Sequence, residues 1–328
     1  MTGSVGARPR RILAVMNEDM DHIAVQSAAA LADLHDARLD VFVCLEPPDD
    51  IEVLARLSNR SPTDLLRAMQ ARRRADIQAV LDTYLPGRAI ELHLRTGKRF
   101  IEVIRHVLST GTDFVVKTAE PLTGMHRFLY TSTDQHLLRK CPCPVWLQTP
   151  TAKPIPRRIL AAVDVDAWHA AEPDTLASLN RQVIDVARNV APTSDAEIVV
   201  LHAWDAIGEG MVWAFSATEG ARIAADAYVN EVLGERQEAM RGLMREVSET
   251  KASTGGAKLV TRLVRGAPEQ VIKDQSRDIQ ADVVVMGTVA RTGLSGVFIG
   301  NTAENIINSL ECPVLAVKPS GFVSPLAR

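Results

Sequence analysis

"TDFVVKTAEPLTG" (112–124) and "ADVVVMGTVARTG" (281–293) are two copies of one pattern: a short apolar run, then a turn-rich segment ending in Thr-Gly. Laid over each other with a shift of 169 residues, 112–147 and 281–316 share nine identities: Asp113, Val115, Val116, Thr123, Gly124, Thr133, Cys143, Pro144 and Val145. The echo extends outward. "RRILAVMN" (10–17) matches "RRILAAVD" (157–164), and "CPCPVWL" (141–147) matches "ECPVLAV" (311–317). A repeat on this scale fixes the architecture before any single residue does. The join falls at "QTPTAKPIPRR" (148–158), whose three prolines suit a short stiff linker. The expected domains are 1–150 and 156–328.

Within each copy, short apolar runs alternate with helical stretches. In the second copy the strands are expected at 157–164, 196–204, 257–266, 281–287 and 313–319. Helices are expected at about 172–190, 219–252, 268–280 and 301–310. The first copy follows the same order, with "RLDVFVCLEP" (38–47) as its second strand. Ser61 and Pro62 suit the N-cap and first position of its long helix. Leu66, Met69, Ile77, Val80 and Tyr84 would form that helix's apolar face. The basic run Arg72, Arg73 and Arg74 reads as a solvated face, or else as an anion patch. Wholly apolar strands alternating with helices imply parallel sheets covered on both faces. The fold class is therefore α/β: two tandem doubly wound, Rossmann-like domains, each a five-stranded parallel sheet. Ligands of such sheets sit beyond the carboxyl ends of the strands, at the switch point.

Bulk composition narrows the function classes. The 328 residues are 46% apolar and 23% charged, with a net charge of −3. That balance gives no polyelectrolyte signal for nucleic acid. No apolar run approaches the length of a membrane span, so a cytoplasmic protein is expected. Cys44, Cys141, Cys143 and Cys312 need no disulfide in that compartment. The "CPC" at 141–143 reads as small apolar residues at the start of a strand. The eight histidines are scattered, so a metal site would have to assemble from distant residues.

The segment "MGTVARTGLSGVFIGNTAEN" (286–305) is the candidate ligand loop. It joins a strand to a helix whose N-terminus presents unpaired N–H groups and partial positive charge. Gly287 would let the backbone leave the strand uncrowded, and Gly300 would let the helix start approach an anion. Asn301 and Thr302 offer donors, and Arg291 could add charge to a phosphate. Neither GxxxxGK[ST] nor GxGxxG is present, and the loop follows the fourth strand, which argues against a dinucleotide dehydrogenase.

These features resemble the universal stress proteins in their tandem two-domain form, over essentially the whole chain. Nucleotide-binding members carry G-x-x-G, nine residues, then G-[S/T]. Here that frame reads Gly287, Ala290, Gly300 and Asn301, with Ala in place of the second glycine and Asn in place of Ser or Thr. The resemblance implies that Ala162, Asp164 and Ala203 hold adenosine. It places Met286, Gly287, Ala290, Gly300, Asn301, Thr302 and Ala303 at the phosphates. It implies ATP or a related adenine nucleotide as the ligand, which magnesium could accompany.

The first copy departs much further from the frame. Thr118, Pro121, Thr131 and Ser132 stand at the positions of Gly287, Ala290, Gly300 and Asn301. Asn17 replaces Asp164, and Leu45 is set against Ala203, where it would crowd a base. Asp134, in the first helical turn, would satisfy the helix dipole and repel phosphate. Single-domain relatives dimerise, so this half is expected to serve as an internal partner for the other. A further homodimer and an unidentified protein partner remain open, with no nucleic acid and no membrane. The expected function is a cytosolic stress-response sensor or adaptor. Two alternatives stand beside it. One is a scaffold or small-molecule carrier without nucleotide. The other is a slow ATP hydrolase, against which the loop offers no lysine and no carboxylate within 287–303.

Overall fold

The computed structural model describes residues 6–17, 22–119, 132–166, 170–192, 194–215, 220–249, 256–288 and 300–327. The first half runs β1 (Arg11–Met16), α1 (Ile23–His35), β2 (Arg38–Leu45), α2 (Ile51–Leu57), α3 (Pro62–Tyr84), β3 (Glu91–Thr96), α4 (Arg99–Thr110), β4 (Phe114–Thr118), α5 (Ser132–Lys140) and β5 (Val145–Gln148). The second half repeats that order. It runs β6 (Arg158–Ala162), α6 (Pro173–Val190), β7 (Glu197–Trp204), α7 (Glu209–Phe215), α8 (Gly220–Glu249), β8 (Lys258–Arg265), α9 (Pro268–Asp278), β9 (Val283–Gly287), α10 (Asn301–Ser309) and β10 (Val314–Val317).

Strand order is β3-β2-β1-β4-β5-β10-β9-β6-β7-β8, one continuous ten-stranded sheet. Pairing is parallel inside each half. Among the described residues the single antiparallel contact is the seam, where Val314, Leu315 and Ala316 face Leu147, Trp146 and Val145. The expected pairing of the two halves is therefore built into the chain as main-chain hydrogen bonds. Two short edges that would otherwise remain open protect each other.

Central strands are mostly apolar because both faces are covered, with Lys117 and Thr118 of β4 and Gln148 of β5 as buried polar exceptions. Phe114 through Thr118 is buried at every residue, as is Val314 through Val317. Residues alternate between two cores. One lies under α1, α3, α6 and α8 and includes Val25, Ile77, Val183 and Met240. The other lies under α4, α5, α9 and α10 and includes Val103, Leu137, Ile272 and Ile306. Both cores cross the seam. Polar bonds cross it too: His35 Nε2 lies 2.7 Å from the Asn189 carbonyl, and Arg139 pairs with Glu304.

The local signals of α3 hold. Ser61 Oγ accepts from the Asp64 N–H at 3.0 Å, and Pro62 opens the helix. Its buried face is Ile77 and Leu81, with Leu66, Met69 and Val80 half-buried. Tyr84 instead lies exposed and stacks on His22 at 4.0 Å between ring centroids. Arg72 and Arg74 are solvated, whereas Arg73 reaches back to donate to the Asn17 carbonyl at 2.7 Å. The short helices α2 and α7 were not expected from sequence. Each precedes the long helix of its half and exposes apolar side chains, Leu57 in one and Met211 in the other.

Candidate functional site

The carboxyl ends of β6, β7 and β9 and the start of α10 surround a cavity of about 520 Å³. Eight sequence-identified positions line it: Ala162, Asp164, Ala203, Met286, Gly287, Gly300, Thr302 and Ala303. Asn301 is the first residue of α10. Ala290 and Arg291 lie outside the described residues, as do Gly293, Gly296 and, in the first half, Pro121, Gly124 and Thr131.

The walls follow from the strand ends. Gly287 is the last residue of β9, and a Cβ there would lie 2.6 Å from Leu179 Cδ2, so a side chain would collide with α6. Close approach is the reason for glycine, since no left-handed backbone is required there. Its successor Thr288 ties the loop root down. The Thr288 N–H donates to the Val317 carbonyl at 3.2 Å, and the Thr288 carbonyl accepts from the Gly300 N–H at 3.2 Å. This last bond closes the loop and delivers α10 with its N-terminus at the cavity. Gly300 takes extended geometry as the N-cap and supplies no side-chain acceptor. The N–H groups of 301–303 therefore have no intrahelical carbonyl to bond.

Asp164 follows β6. The Asn180 amide of α6 grips its backbone from both sides, accepting from its N–H at 3.0 Å and donating to its carbonyl at 2.6 Å. The carboxylate is about one-quarter exposed, accepts from the Asp166 N–H at 3.2 Å and lies 4.0 Å from His202 Nδ1. Asp166 is held by Arg236 of α8 at 2.9 Å. Leu176, Leu179, Val183, Ile272, Met286 and Ile306 add apolar wall, beside the polar Asn180 and His202. The arrangement combines apolar walls, a carboxylate and a helix N-terminus around one cavity at the carboxyl edge of the sheet. Sequence reasoning missed Asn180 and His202. Asn180 is a polar residue on the buried side of an amphipathic helix, which is a usable signal, and His202 is a lone polar residue near the end of the apolar strand 196–204.

The first half replaces this cavity with charge. Lys117 stands where Met286 does and Asp134 where Ala303 does. Their side chains are fully buried and paired at 2.8 Å. Lys117 also donates to the Thr118 carbonyl at 2.9 Å, and Asn17 Nδ2 to the same carbonyl at 2.8 Å. Asp134 thus acts through Lys117 as well as through its place in the first turn of α5. The expected clash of Leu45 is corrected by strand register. Arg11 lies beside Arg38, and Arg158, its counterpart, beside Glu197. Counting along, Cys44 corresponds to Ala203 and Leu45 to Trp204. The pairings Leu45 with Thr96 and Trp204 with Arg265 give the same answer. Cys44 is small, so the side chain at that position gives no clash.

Beside the second-half loop, Lys318 is buried and donates to Thr288 Oγ1 at 2.7 Å. Desolvation pulls its pKa down to about 7.

The universal stress protein family model matches residues 9–148 and again 157–318. Universal stress protein E of Escherichia coli K12 is 31% identical over 280 residues, covering 84% of this chain and 83% of that protein. Its namesake in Photorhabdus laumondii is 25% identical over 325 residues, 98% of each chain. Among solved structures, a functionally unknown protein from Pseudomonas aeruginosa PAO1 aligns with a TM-score of 0.65 at 25% identity, over 97% of this chain and 96% of that one. A universal stress protein from Archaeoglobus fulgidus shares the fold, with a TM-score of 0.54 at 15% identity over 96% and 99%. The chain belongs to the universal stress protein family, with one family domain in each half.

Proposed function

We propose that this protein is a cytosolic stress-response sensor or adaptor that binds an adenine nucleotide such as ATP in its second half only. The observation that carries the reading is the convergence of eight dispersed positions on one cavity of about 520 Å³, a volume suited to a ligand of nucleotide size. The base would lie in the apolar slot against Ala203. Asp164 would accept from ribose hydroxyls or a base amine. The phosphates would meet the N-terminus of α10, where backbone N–H groups and the helix dipole favour anions.

Binding, rather than turnover, is what the lining supports. Phosphoryl transfer needs charge clamps on the moving group and an oriented nucleophile. Asp164 is the one carboxylate in the described lining, and a single carboxylate is no protein cage for a metal ion. A magnesium ion would therefore travel on the phosphates rather than on a protein cage. The apolar lining favours a second reading, a carrier of an apolar small molecule. Isothermal titration of ATP into the full chain and an Asp164→Ala variant separates the two. Saturable heat that weakens at least tenfold in the variant supports nucleotide. No heat at millimolar ATP contradicts it.

A further inference from the structure

A second constellation lies in the first half, away from the cavity. Asp40 of β2, His93 of β3 and His106 of α4 project from three elements into the space between the sheet edge and α4. Their ligand atoms lie within 4.8 Å of one another. They come from positions far apart in sequence, joined by the parallel register that sets Phe42 beside His93. Asp40 is fully buried, and Arg11 and Arg38 each take one carboxylate oxygen, at 2.6 Å and 3.0 Å. His93 Nε2 lies 4.0 Å from Asp40 Oδ2 and 3.5 Å from Glu91 Oε1. The two imidazoles lean on each other with centroids 4.3 Å apart.

Two buried nitrogens here have no hydrogen-bond partner: Nε2 of His93 and Nε2 of His106. His106 is only 5% exposed. An unpaired ring nitrogen at such depth costs free energy unless something accepts its proton or takes its lone pair. Two such nitrogens converging beside one carboxylate match a two-histidine, one-carboxylate donor set.

We propose that Asp40, His93 and His106 form a binding site for a divalent transition-metal ion of the zinc class. Imidazole and carboxylate together suit borderline cations. Tetrahedral coordination at ordinary zinc–nitrogen lengths needs ligand atoms roughly 3.3 Å apart, so side-chain rotations of about 1 Å close the set. The half-exposed Glu91 carboxylate can swing in as a fourth ligand. Neutral imidazole is the metal-binding form of histidine, and the unpartnered Nε2 of each ring can turn its lone pair to the ion. The two guanidiniums on Asp40 orient the carboxylate in the way outer hydrogen bonds orient metal ligands. Arg11, Arg38 and Arg95 also bring positive charge close by, so the expected affinity is micromolar rather than that of a closed structural zinc site.

Cobalt(II) titrated into the metal-stripped full chain tests the site through its visible d–d absorption. One equivalent should give a saturable tetrahedral-type spectrum that zinc(II) displaces. His93→Gln and His106→Gln should each remove it. His93 lies at the half-exposed sheet edge, so its variant stays informative if burial of His106 makes that variant unstable. Circular dichroism confirms the fold of each. The Asp164, Asp166 and His202 cluster beside the cavity is the rival location. A spectrum that survives His93→Gln and vanishes in His202→Gln overturns the proposal. So does a wild-type chain that gives no spectrum at millimolar cobalt.

Discussion

The two halves share one backbone plan and fill the same place in opposite ways. Where β9 ends and α10 begins, Met286 and Ala303 border an open cavity. Where β4 ends and α5 begins, Lys117 and Asp134 meet as a fully buried ion pair. On the proposed reading, the first-half pair sits where the second half would hold its ligand, with a carboxylate of the chain's own in place of an outside anion. The comparison teaches that a degenerate loop motif marks a site filled from within as well as one that has lost residues.

The largest expected effect breaks the pair on one side. Asp134→Ala leaves a lysine ammonium buried without that carboxylate and should cost about 3–5 kcal/mol. Urea denaturation of the full chain measures it. Lys117→Met/Asp134→Ala installs the second half's residues and should recover most of the loss, since apolar replacement of a whole buried pair is often neutral. A double variant as unstable as the single one would show that the two halves do not differ in the way described.

The reverse graft, Met286→Lys/Ala303→Asp, should close the second-half cavity. ATP affinity by titration calorimetry should fall at least a hundredfold, about 2.7 kcal/mol, while the circular dichroism spectrum is kept. Smaller effects come from Lys318. The first half pairs its buried lysine with a carboxylate. Lys318 has a hydroxyl, and no carboxylate lies within ion-pair distance among the described residues. Its folded pKa of about 7 lies below the unfolded value of 10.5. The unfolded chain therefore binds more protons between those values, and stability should rise from pH 7 toward pH 10 and fall as pH drops toward 7. Lys318→Met should flatten this rise in thermal melts and add roughly 1–2 kcal/mol near pH 7. The smallest effect is Gly287→Ala. Its Cβ must push the Leu179 side chain aside, at about 1 kcal/mol in chemical denaturation, while narrowing the slot.

Much of this was legible in the chain itself. Apolar runs between helical stretches named the central strands, because strands covered on both faces are rich in apolar residues, whereas the edge strand β3, Glu91–Thr96, carries Glu, His, Arg and Thr and was not named. The repeat predicted the partnership of the halves, although not its form: the seam between Val145–Gln148 and Val314–Val317 rests on backbone hydrogen bonds that side chains do not announce. The positions from Ala162 to Ala303 came from the resemblance to the universal stress proteins, and eight of them line one cavity because they sit at strand ends and a helix start. Lys117 and Asp134 escaped notice as a pair because they are 17 positions apart and meet only when α5 folds back onto β4. Leu45 was misplaced by one residue because β2 and β7 share no identities near their ends, and only the ladder beside β1 and β6 counts the register. The Asp40, His93 and His106 cluster was beyond reach for the same reason.

The central claim is that one half takes a nucleotide and the other does not. Native mass spectrometry of the full chain with excess ATP tests it most directly. The expected spectrum shows one nucleotide per chain, and none for Met286→Lys/Ala303→Asp. Two nucleotides per chain, or one that survives that graft, would contradict it.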